Sequence, residues 1–298
     1  MDDMVKTNNM KQNYAYVTFC NTANYLEGLM ATWLCLRDTG TKIPFYAMLP
    51  TKLIQEKPKE VANLKKEGIN IIEYPKPVTV PQVLIDNNTK SGNLRGNQCY
   101  DKLLVFEQTQ FDKIVYIDTD IYILQSLDRL FDMPHMAAMI AGKSYPGNES
   151  WVDLSAGIFT IVPKEGMVEE FMKVIPTVIE NNGALGDMSI LQAYYSDWPN
   201  HPELDMGEKY GVMSYYAHYF EENLGYHYNN DVNDPKSVAI IHYASEKKPW
   251  MQQWSPLSVL KQELQLMMLK MMHKRNTDTV LLEYKHLVRK ARKLLYAK

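Results

Sequence analysis

The sequence predicts an α/β domain built on a mainly parallel sheet. Short apolar runs rich in β-branched and aromatic residues alternate with longer segments of helical periodicity. The runs have the length of strands that are buried on both faces, and the segments between them are long enough to be helical crossovers. Regular alternation of this kind favours a layered domain in which helices cover the sheet.

The first third of the chain alternates regularly until a polar interruption. The predicted elements are a strand over 14–20, a helix that follows Asn21 and ends near Gly40, a strand over 43–49, a charged helix over 51–67 and a strand over 69–74. Pro, Asn and Gly then interrupt 75–97, which predicts a long loop. Loops of that length inside a compact domain are usually functional or disordered.

The alternation resumes after this loop. The predicted elements are a helix over 100–110, strands over 113–117 and 121–123, a helical turn over 127–131, strands over 136–141 and 154–163, helices over 165–180 and 186–198, and a strand over 237–243. Pro176 interrupts the first of these last two helices. The Tyr-rich stretch 210–230 suits either sugar or base stacking, or partly buried packing.

Two carboxylates stand at the end of the predicted strand 113–117. Asp118 and Asp120 cost folding free energy there unless a cation pairs with them. Their oxygens suit Mg²⁺ or Mn²⁺, whose remaining ligands are often phosphate oxygens. Ligands of open parallel sheets bind beyond the carboxyl ends of strands, which favours an enzyme acting on a nucleoside diphosphate compound. The alternative is a solvated turn that Asp118 caps.

Three further segments carry candidate residues. Ser155, Ala156 and Gly157 open the strand 154–163, and such small residues either let a ligand approach the backbone or form a bulge. Asp187 begins a predicted helix, where an Asp commonly serves as a cap. His242 ends the last predicted strand and is soon followed by Lys247 and Lys248, a pairing that suits a metal and a diphosphate better than a lone structural His does.

Composition excludes several classes of protein. The 298 residues are 46% hydrophobic and 22% charged, and the net charge of -3 argues against a nucleic-acid partner. Three cysteines without C-x-x-C spacing predict neither a disulfide framework nor a zinc site, and they favour a reducing, cytoplasmic setting. The polar N-terminus and the absence of an uncharged run of 18 apolar residues predict neither a signal peptide nor a transmembrane helix.

The charge balance changes near residue 257, which predicts two parts, 1–256 and a helical extension over 257–298. Ten Lys and Arg stand against three Asp and Glu beyond that point, so the extension carries +7 and the rest -10, by subtraction from -3. A basic amphipathic helix could lie on the anionic inner face of a membrane. The alternative is a tail packed on the acidic body or on a partner subunit, as in a homodimer.

Five motifs in one order resemble those of the retaining glycosyltransferases of family 8, which include glycogenin and galactinol synthase. The resemblance covers about Tyr14 to Trp250. The motifs are VTFCNTANYLEGL, YDKLLVFEQTQFDKIVYIDTDIYILQSLDRLF, LSAGIF, GDMSILQ and HYASEKKPW. The resemblance implies a single Rossmann-like domain of GT-A type over 1–256. It also implies a divalent cation (Mn²⁺, with Mg²⁺ as the alternative) and UDP-glucose or UDP-galactose as donor. The implied acceptor is a glycan, a polyol or a lipid-linked sugar.

The resemblance also implies the site residues. The implied metal ligands are Asp118, Asp120 and His242. Asp187 and Lys248 are the implied catalytic residues, with Lys248 on the diphosphate. The residues implied to lie around the donor are Thr18, Asn21, Tyr25, Arg95, Lys102, Ile117, Thr119, Ser155, Ala156, Ser245 and Lys248.

Three positions depart from the family pattern. Ser155 replaces an Asn, Ser245 replaces a Gly, and Met188 replaces a Gln that follows the Asp at the helix start. Because a thioether cannot act as a nucleophile, Met188 favours front-face attack with retention over double displacement. Arg95 stands near the place of the family's donor-sugar arginine, at a looser spacing. The alternatives are a self-glycosylating primer, for which Tyr219 is a candidate acceptor, and a non-catalytic sugar-nucleotide-binding protein.

Overall fold

A six-stranded sheet forms the centre of the molecule in the computed structural model, which describes residues 12–92, 96–181, 186–273 and 275–297. The strands, in chain order, are β1 Tyr14–Phe19, β2 Phe45–Pro50, β3 Asn70–Tyr74, β4 Lys113–Ile117, β5 Ile121–Ile123, β6 Ala138–Ile140, β7 Leu154–Ile161, β8 Val212–Met213 and β9 Ile240–His242. The central sheet has the order β3-β2-β1-β4-β7-β6. Its first four strands are parallel, and β7 runs antiparallel to both of its neighbours. The predicted α/β class with a mainly parallel sheet is confirmed.

Helices cover this sheet and form the C-terminal end of the chain. The α-helices of the described residues are α1 Leu26–Asp38, α2 Thr51–Glu56, α3 Pro58–Lys66, α4 Gln82–Lys90, α5 Met167–Lys173, α6 Ile175–Asn181, α7 Asp187–Tyr194, α8 Ala217–Leu224, α9 Pro256–Met271 and α10 Thr277–Leu295. Between β3 and β4, the segment Tyr100–Glu107 is a 3₁₀ helix where an α-helix over 100–110 was expected.

Two further expectations about helices were wrong. The single helix expected over 51–67 is two helices, because Pro58 lacks the N–H that a continuous helix needs and instead begins α3. The long loop expected over 75–97 contains α4. The helix α4 buries only Leu84 and Asn88, which lie one turn apart. Its sequence therefore shows little of the apolar periodicity from which a helix is predicted.

A second, three-stranded sheet explains how distant residues meet. The chain leaves the central sheet at the end of β4, crosses three residues, and enters the small sheet β5-β9-β8. In that sheet β5 and β9 are antiparallel, and their register places Ile121 opposite His242. Since Asp118 and Asp120 lie in the crossing just before Ile121, this register brings His242 to the two carboxylates.

The C-terminal helix α10 packs on α1. On its apolar face Tyr284, Val288 and Leu295 are fully buried, and Leu287 and Leu294 are partly buried against the same core. The Tyr284 ring stacks on Tyr243 with 4.4 Å between centroids. Packing on the body, one of the two expected alternatives for the tail, is therefore what this face does, and it is not free to contact a membrane. A search of the described helices finds none with the length and apolarity to cross a bilayer.

Candidate active site

Asp118, Asp120 and His242 form one cluster where the two sheets meet. One ligand atom from each lies within 4.8 Å of the others, and within the described ranges this is the one group of three or more such side chains. His242 Nε2 is 3.1 Å from Asp120 Oδ1 and 4.0 Å from Asp118 Oδ2. The strand ladders fix both carboxylates: the Asp118 amide donates to the Gly157 carbonyl, and the Tyr243 amide donates to the Asp120 carbonyl, each at 2.9 Å.

These side chains fit a divalent cation. Asp120 Oδ1 is buried and accepts no hydrogen bond from the part of the chain that the structure describes, although it faces the His242 ring. Burial alone would raise the pKa of Asp120, but its interactions with His242 and Lys248 outweigh burial and hold its pKa below the ordinary value. Ionised carboxylates are what metal binding requires. Two carboxylates with one imidazole suit Mn²⁺ better than Mg²⁺, which prefers oxygen ligands alone.

Two buried lysines compensate the carboxylates. Lys102 Nζ lies 3.1 Å from Asp118 Oδ1 and 2.6 Å from Asp187 Oδ2, and it donates to the Ala156 carbonyl at 2.9 Å. Burial opposes the charged form of Lys102, yet the two carboxylates raise its pKa above the ordinary value. For Asp118 the balance is reversed, because burial raises its pKa and Lys102 offsets burial only in part.

Lys248 holds the other carboxylate. Its Nζ lies 2.6 Å from Asp120 Oδ2 and donates to the Tyr243 carbonyl at 2.8 Å. Because only 3% of the Lys248 side chain is exposed, this ion pair is nearly free of solvent screening. The resemblance implies that Lys248 contacts a diphosphate. In the structure its ammonium instead forms an ion pair with Asp120.

Gly157 shapes the site in a way that the sequence did not indicate. A Cβ at this position would lie 2.7 Å from Cε1 and 2.9 Å from Nδ1 of the His242 ring, too close for any side chain. The small residues of β7 were expected to let a ligand approach or to form a bulge. For Gly157 the observed reason is that its missing side chain makes room for the imidazole.

The segment that carries Lys248 is anchored to the helices. The Trp250 indole N–H donates to the Asn24 carbonyl at 2.7 Å, and the Trp250 carbonyl accepts a hydrogen bond from Arg292 of α10. Arg292 also pairs with Glu27 of α1 at 2.8 Å. The helix α10 therefore contributes to the placement of Lys248.

The cluster lies in a cavity of about 510 Å³. The predicted residues that line it are Asn21, Tyr25, Lys102, Asp118, Thr119, Asp120, Asp187, His242 and Lys248. Two cavities of about 610 and 590 Å³ lie elsewhere, and their described linings contain no comparable cluster. The cluster of possible metal ligands therefore makes this smaller cavity the candidate active site.

Five of the remaining predicted residues lie outside its lining. Thr18, Ile117, Ser155 and Ala156 are buried in strands, and Ala156 reaches the site only through its carbonyl. Ser245 is exposed, and Arg95 lies outside the described residues.

Sequence reasoning missed Cys99. Its thiol lines the cavity and accepts a hydrogen bond from the Asp187 amide at 3.4 Å. Burial raises its pKa, so it is a neutral thiol that holds the start of α7. No pattern in the sequence marks this cysteine, because the contact depends on how α7 packs.

The fold is that of the GT-A glycosyltransferases. Among solved structures, the apo form of the glycosyltransferase GlyE of Streptococcus pneumoniae superposes with a TM-score of 0.53 at 18% identity, covering 95% of this chain and 64% of that chain. At this level of identity the likeness shows the fold alone.

The chain belongs to glycosyl transferase family 8, whose family model matches residues 16–253. Inositol phosphorylceramide glucuronosyltransferase 1 of Arabidopsis thaliana is 24% identical over 249 residues, which are 79% of this chain and 42% of that protein. Glycogenin of Neurospora crassa is 25% identical over 234 residues, 76% of this chain and 30% of that protein. The chain thus spans less than half the length of these two relatives.

Proposed function

We propose that the protein is a metal-dependent, retaining hexosyltransferase that moves glucose or galactose from a UDP-sugar to an acceptor hydroxyl. The observation that carries the proposal is the convergence of Asp118, Asp120, His242 and Lys248 in one cavity. Membership of family 8 supports glycosyl transfer as the reaction class. The cluster offers two carboxylates and an imidazole as metal ligands, and a primary amine that can stabilise the charge of a diphosphate leaving group.

A divalent cation held by Asp118, Asp120 and His242 would supply Lewis-acid charge against the leaving diphosphate. The chain's own contribution to the same charge is Lys248. In the structure Lys248 neutralises Asp120 at 2.6 Å. With a cation at Asp118, Asp120 and His242, Asp120 would no longer depend on Lys248 for compensation, and the Lys248 ammonium would supply a compact positive charge to the negative charge that develops on the diphosphate.

Asp187 and Lys102 act on the sugar side of the cavity. Lys102 holds Asp187 at 2.6 Å and keeps its carboxylate directed into the site. From there Asp187 orients the donor sugar and stabilises positive charge at the anomeric carbon. Met188 also lines the cavity and offers no amide or carboxylate oxygen to the anomeric carbon. The acceptor hydroxyl therefore attacks from the face that the diphosphate leaves, and the configuration is retained.

The cationic groups favour a neutral hexose over a uronic acid. Among the described residues, Lys102 and Lys248 are the lysines that line the cavity, no arginine does, and both lysines are already paired with carboxylates. In the proposed arrangement Lys102 stays with its two carboxylates and Lys248 is assigned to the diphosphate, so neither is left for a sugar carboxylate, whose unpaired charge in a buried site would be costly. Because one relative is named as a glucuronosyltransferase, UDP-glucuronate is nevertheless the informative comparison.

The acceptor is a glycan, a polyol or a lipid-linked sugar in this proposal. A self-glycosylating primer is the second candidate, since glycogenin is among the relatives. Tyr219 was the predicted acceptor for that activity, but it packs beside the Tyr216 ring and does not line the cavity. Its position favours a separate acceptor. A non-catalytic sugar-nucleotide-binding protein is the third candidate.

A donor panel tests the proposal. Each UDP-sugar, with UDP-glucuronate included, is incubated with Mn²⁺ and with chelator, and UDP release and product mass are measured. UDP release only with Mn²⁺, and only from glucose or galactose donors, is the expected result. Added hexose mass on the protein itself would favour the self-glycosylating primer. Binding of UDP with no turnover of any donor would favour the non-catalytic alternative.

A further inference from the structure

The helix α9 exposes an unusually apolar face. This Leu/Met face consists of Leu257, Leu260, Leu264, Met267, Met268 and Met271. Each side chain is between 48% and 72% exposed. The spacing by three and four residues places all six along one side of a helix. Single exposed apolar residues are common, but a contiguous apolar patch marks an interaction surface.

The opposite side of α9 already holds the helix on the body. Leu266 is buried there, and Glu263 pairs with Arg289 and His286 of α10. Lys270 reaches Glu283 of α10 at 3.4 Å. The helix therefore does not need the Leu/Met face for its attachment, and that face is available to another partner.

Charge indicates what that partner is. The segment 257–298 carries ten Lys and Arg against three Asp and Glu, a balance of +7. Two of those acids, Glu263 and Glu283, are already paired with basic side chains. Lys261 lies on the exposed side of α9 beside the Leu/Met face. Exposed apolar side chains on a segment with a surplus of positive charge complement a surface that is apolar inside and anionic outside.

We propose that the Leu/Met face of α9 docks on an anionic lipid bilayer, with the helix lying in the plane of the interface. Leucine and methionine side chains would enter the acyl region, while lysines such as Lys261 remain at the headgroups. A second copy of the chain fits less well, because pairing through α9 would bring two segments of +7 together. The structure thus assigns to α9 the membrane role that the sequence suggested for the extension 257–298.

Vesicle sedimentation tests this surface without any requirement for sugar transfer, so its failure is distinguishable from failure of the proposed function. The full chain is spun with vesicles of phosphatidylcholine and phosphatidylglycerol in equal parts, and with phosphatidylcholine alone. The triple variant Leu257→Gln, Met268→Gln, Met271→Gln removes the most exposed part of the face. The matched control is Val83→Gln with Val162→Gln, which are 44% and 51% exposed elsewhere on the body.

The unaltered chain and the control are expected to sediment with the anionic vesicles and much less with phosphatidylcholine. Partitioning of the triple variant is expected to fall about tenfold or more, because it scales with the apolar area that enters the interface. Lys261→Gln is expected to give a smaller loss that disappears in high salt. Equal sedimentation of the triple variant and the control would overturn the proposal. So would a dimer in light scattering that the triple variant dissociates, since the face would then belong to a second copy.

Discussion

The cavity and the C-terminal helix pair α9 and α10 both contain many charged side chains, but they differ in how far those side chains are buried. In the cavity the charges are buried: the exposed fractions of Asp120, Lys102 and Lys248 side chains are 11%, 7% and 3%. In the helix pair the described charged groups are exposed or partly buried, and the apolar residues of α10 are what is buried. Buried pairs cost desolvation free energy, whereas exposed pairs cost and contribute little.

This contrast separates function from stability. The buried charges of the cavity contribute little net stability to the fold, and their proposed role is to bind the metal and the donor. Substitutions in the cavity should therefore reduce activity more than stability. The apolar contacts of α10 stabilise the fold, so substitutions there should have the reverse effect. Variants in both regions can test the contrast directly.

Lys248→Met should have the largest effect. Transfer is expected to fall about 10²- to 10³-fold, because the charge that stabilises the leaving diphosphate is lost. The free energy of unfolding measured with Mn²⁺ should stay close to that of the unaltered chain, since the cation then compensates Asp120. The control is Lys247→Met, an exposed neighbour. Equal loss of activity in both variants would contradict the assigned role.

Gly157→Ala should weaken metal binding without unfolding the protein. The added Cβ would meet the His242 ring at 2.7 Å and displace it from the two carboxylates. Mn²⁺ affinity is expected to fall about 10- to 100-fold, as when a metal ligand loses its orientation. Gly142→Ala is the control, because its nearest neighbour would be 3.3 Å away and it does not line the cavity. Unchanged Mn²⁺ affinity in Gly157→Ala would mean that His242 is not a ligand.

Leu295→Ala should act on stability alone. Leu295, the last residue of α10, is fully buried, and the truncation is expected to cost about 2–4 kcal/mol in the free energy of unfolding measured with urea. Mn²⁺ and UDP affinities should be unchanged. Lys293→Ala, on the exposed side of the same helix, should stay within about 0.5 kcal/mol. A variant that lost donor affinity but kept its stability would break the contrast between the two regions.

Glu263→Gln should have the smallest effect. Its partners are Arg289 and His286, and its side chain is 36% exposed. Removal of the charge is expected to lower the free energy of unfolding by at most about 1 kcal/mol, less in high salt. A larger loss that salt does not reduce would show that this pair behaves like the buried pairs of the cavity.

The sequence predicted the parts of this picture that depend on local pattern. The apolar run of β4 followed by Asp118 and Asp120 indicated a site at a strand end, and the resemblance to family 8 supplied His242 as a partner. The register that joins them could not be predicted, because it depends on β5 leaving the central sheet to pair with β9. The sequence also gave no sign that Lys248 would pair with Asp120.

Other features were hidden for physical reasons. The helix α4 buries too few apolar residues to show a helical period. Gly157 is one of several small residues in β7, and only the packed structure shows that the His242 ring lies against it. The basic amphipathic pattern predicts a helical extension over 257–298, where the structure has the two helices α9 and α10. The pattern alone could not decide between burial on the body and exposure to a membrane.

The central claim is that Asp118, Asp120 and His242 hold a cation through which the donor is bound. Calorimetric titration of UDP into the unaltered chain and into Asp120→Asn, each with Mn²⁺ and with chelator, tests it most directly. The unaltered chain should bind UDP with Mn²⁺ and lose that binding in chelator, while Asp120→Asn should show no metal-dependent binding and still unfold cooperatively. UDP binding of equal affinity in both proteins and under both conditions would contradict the claim.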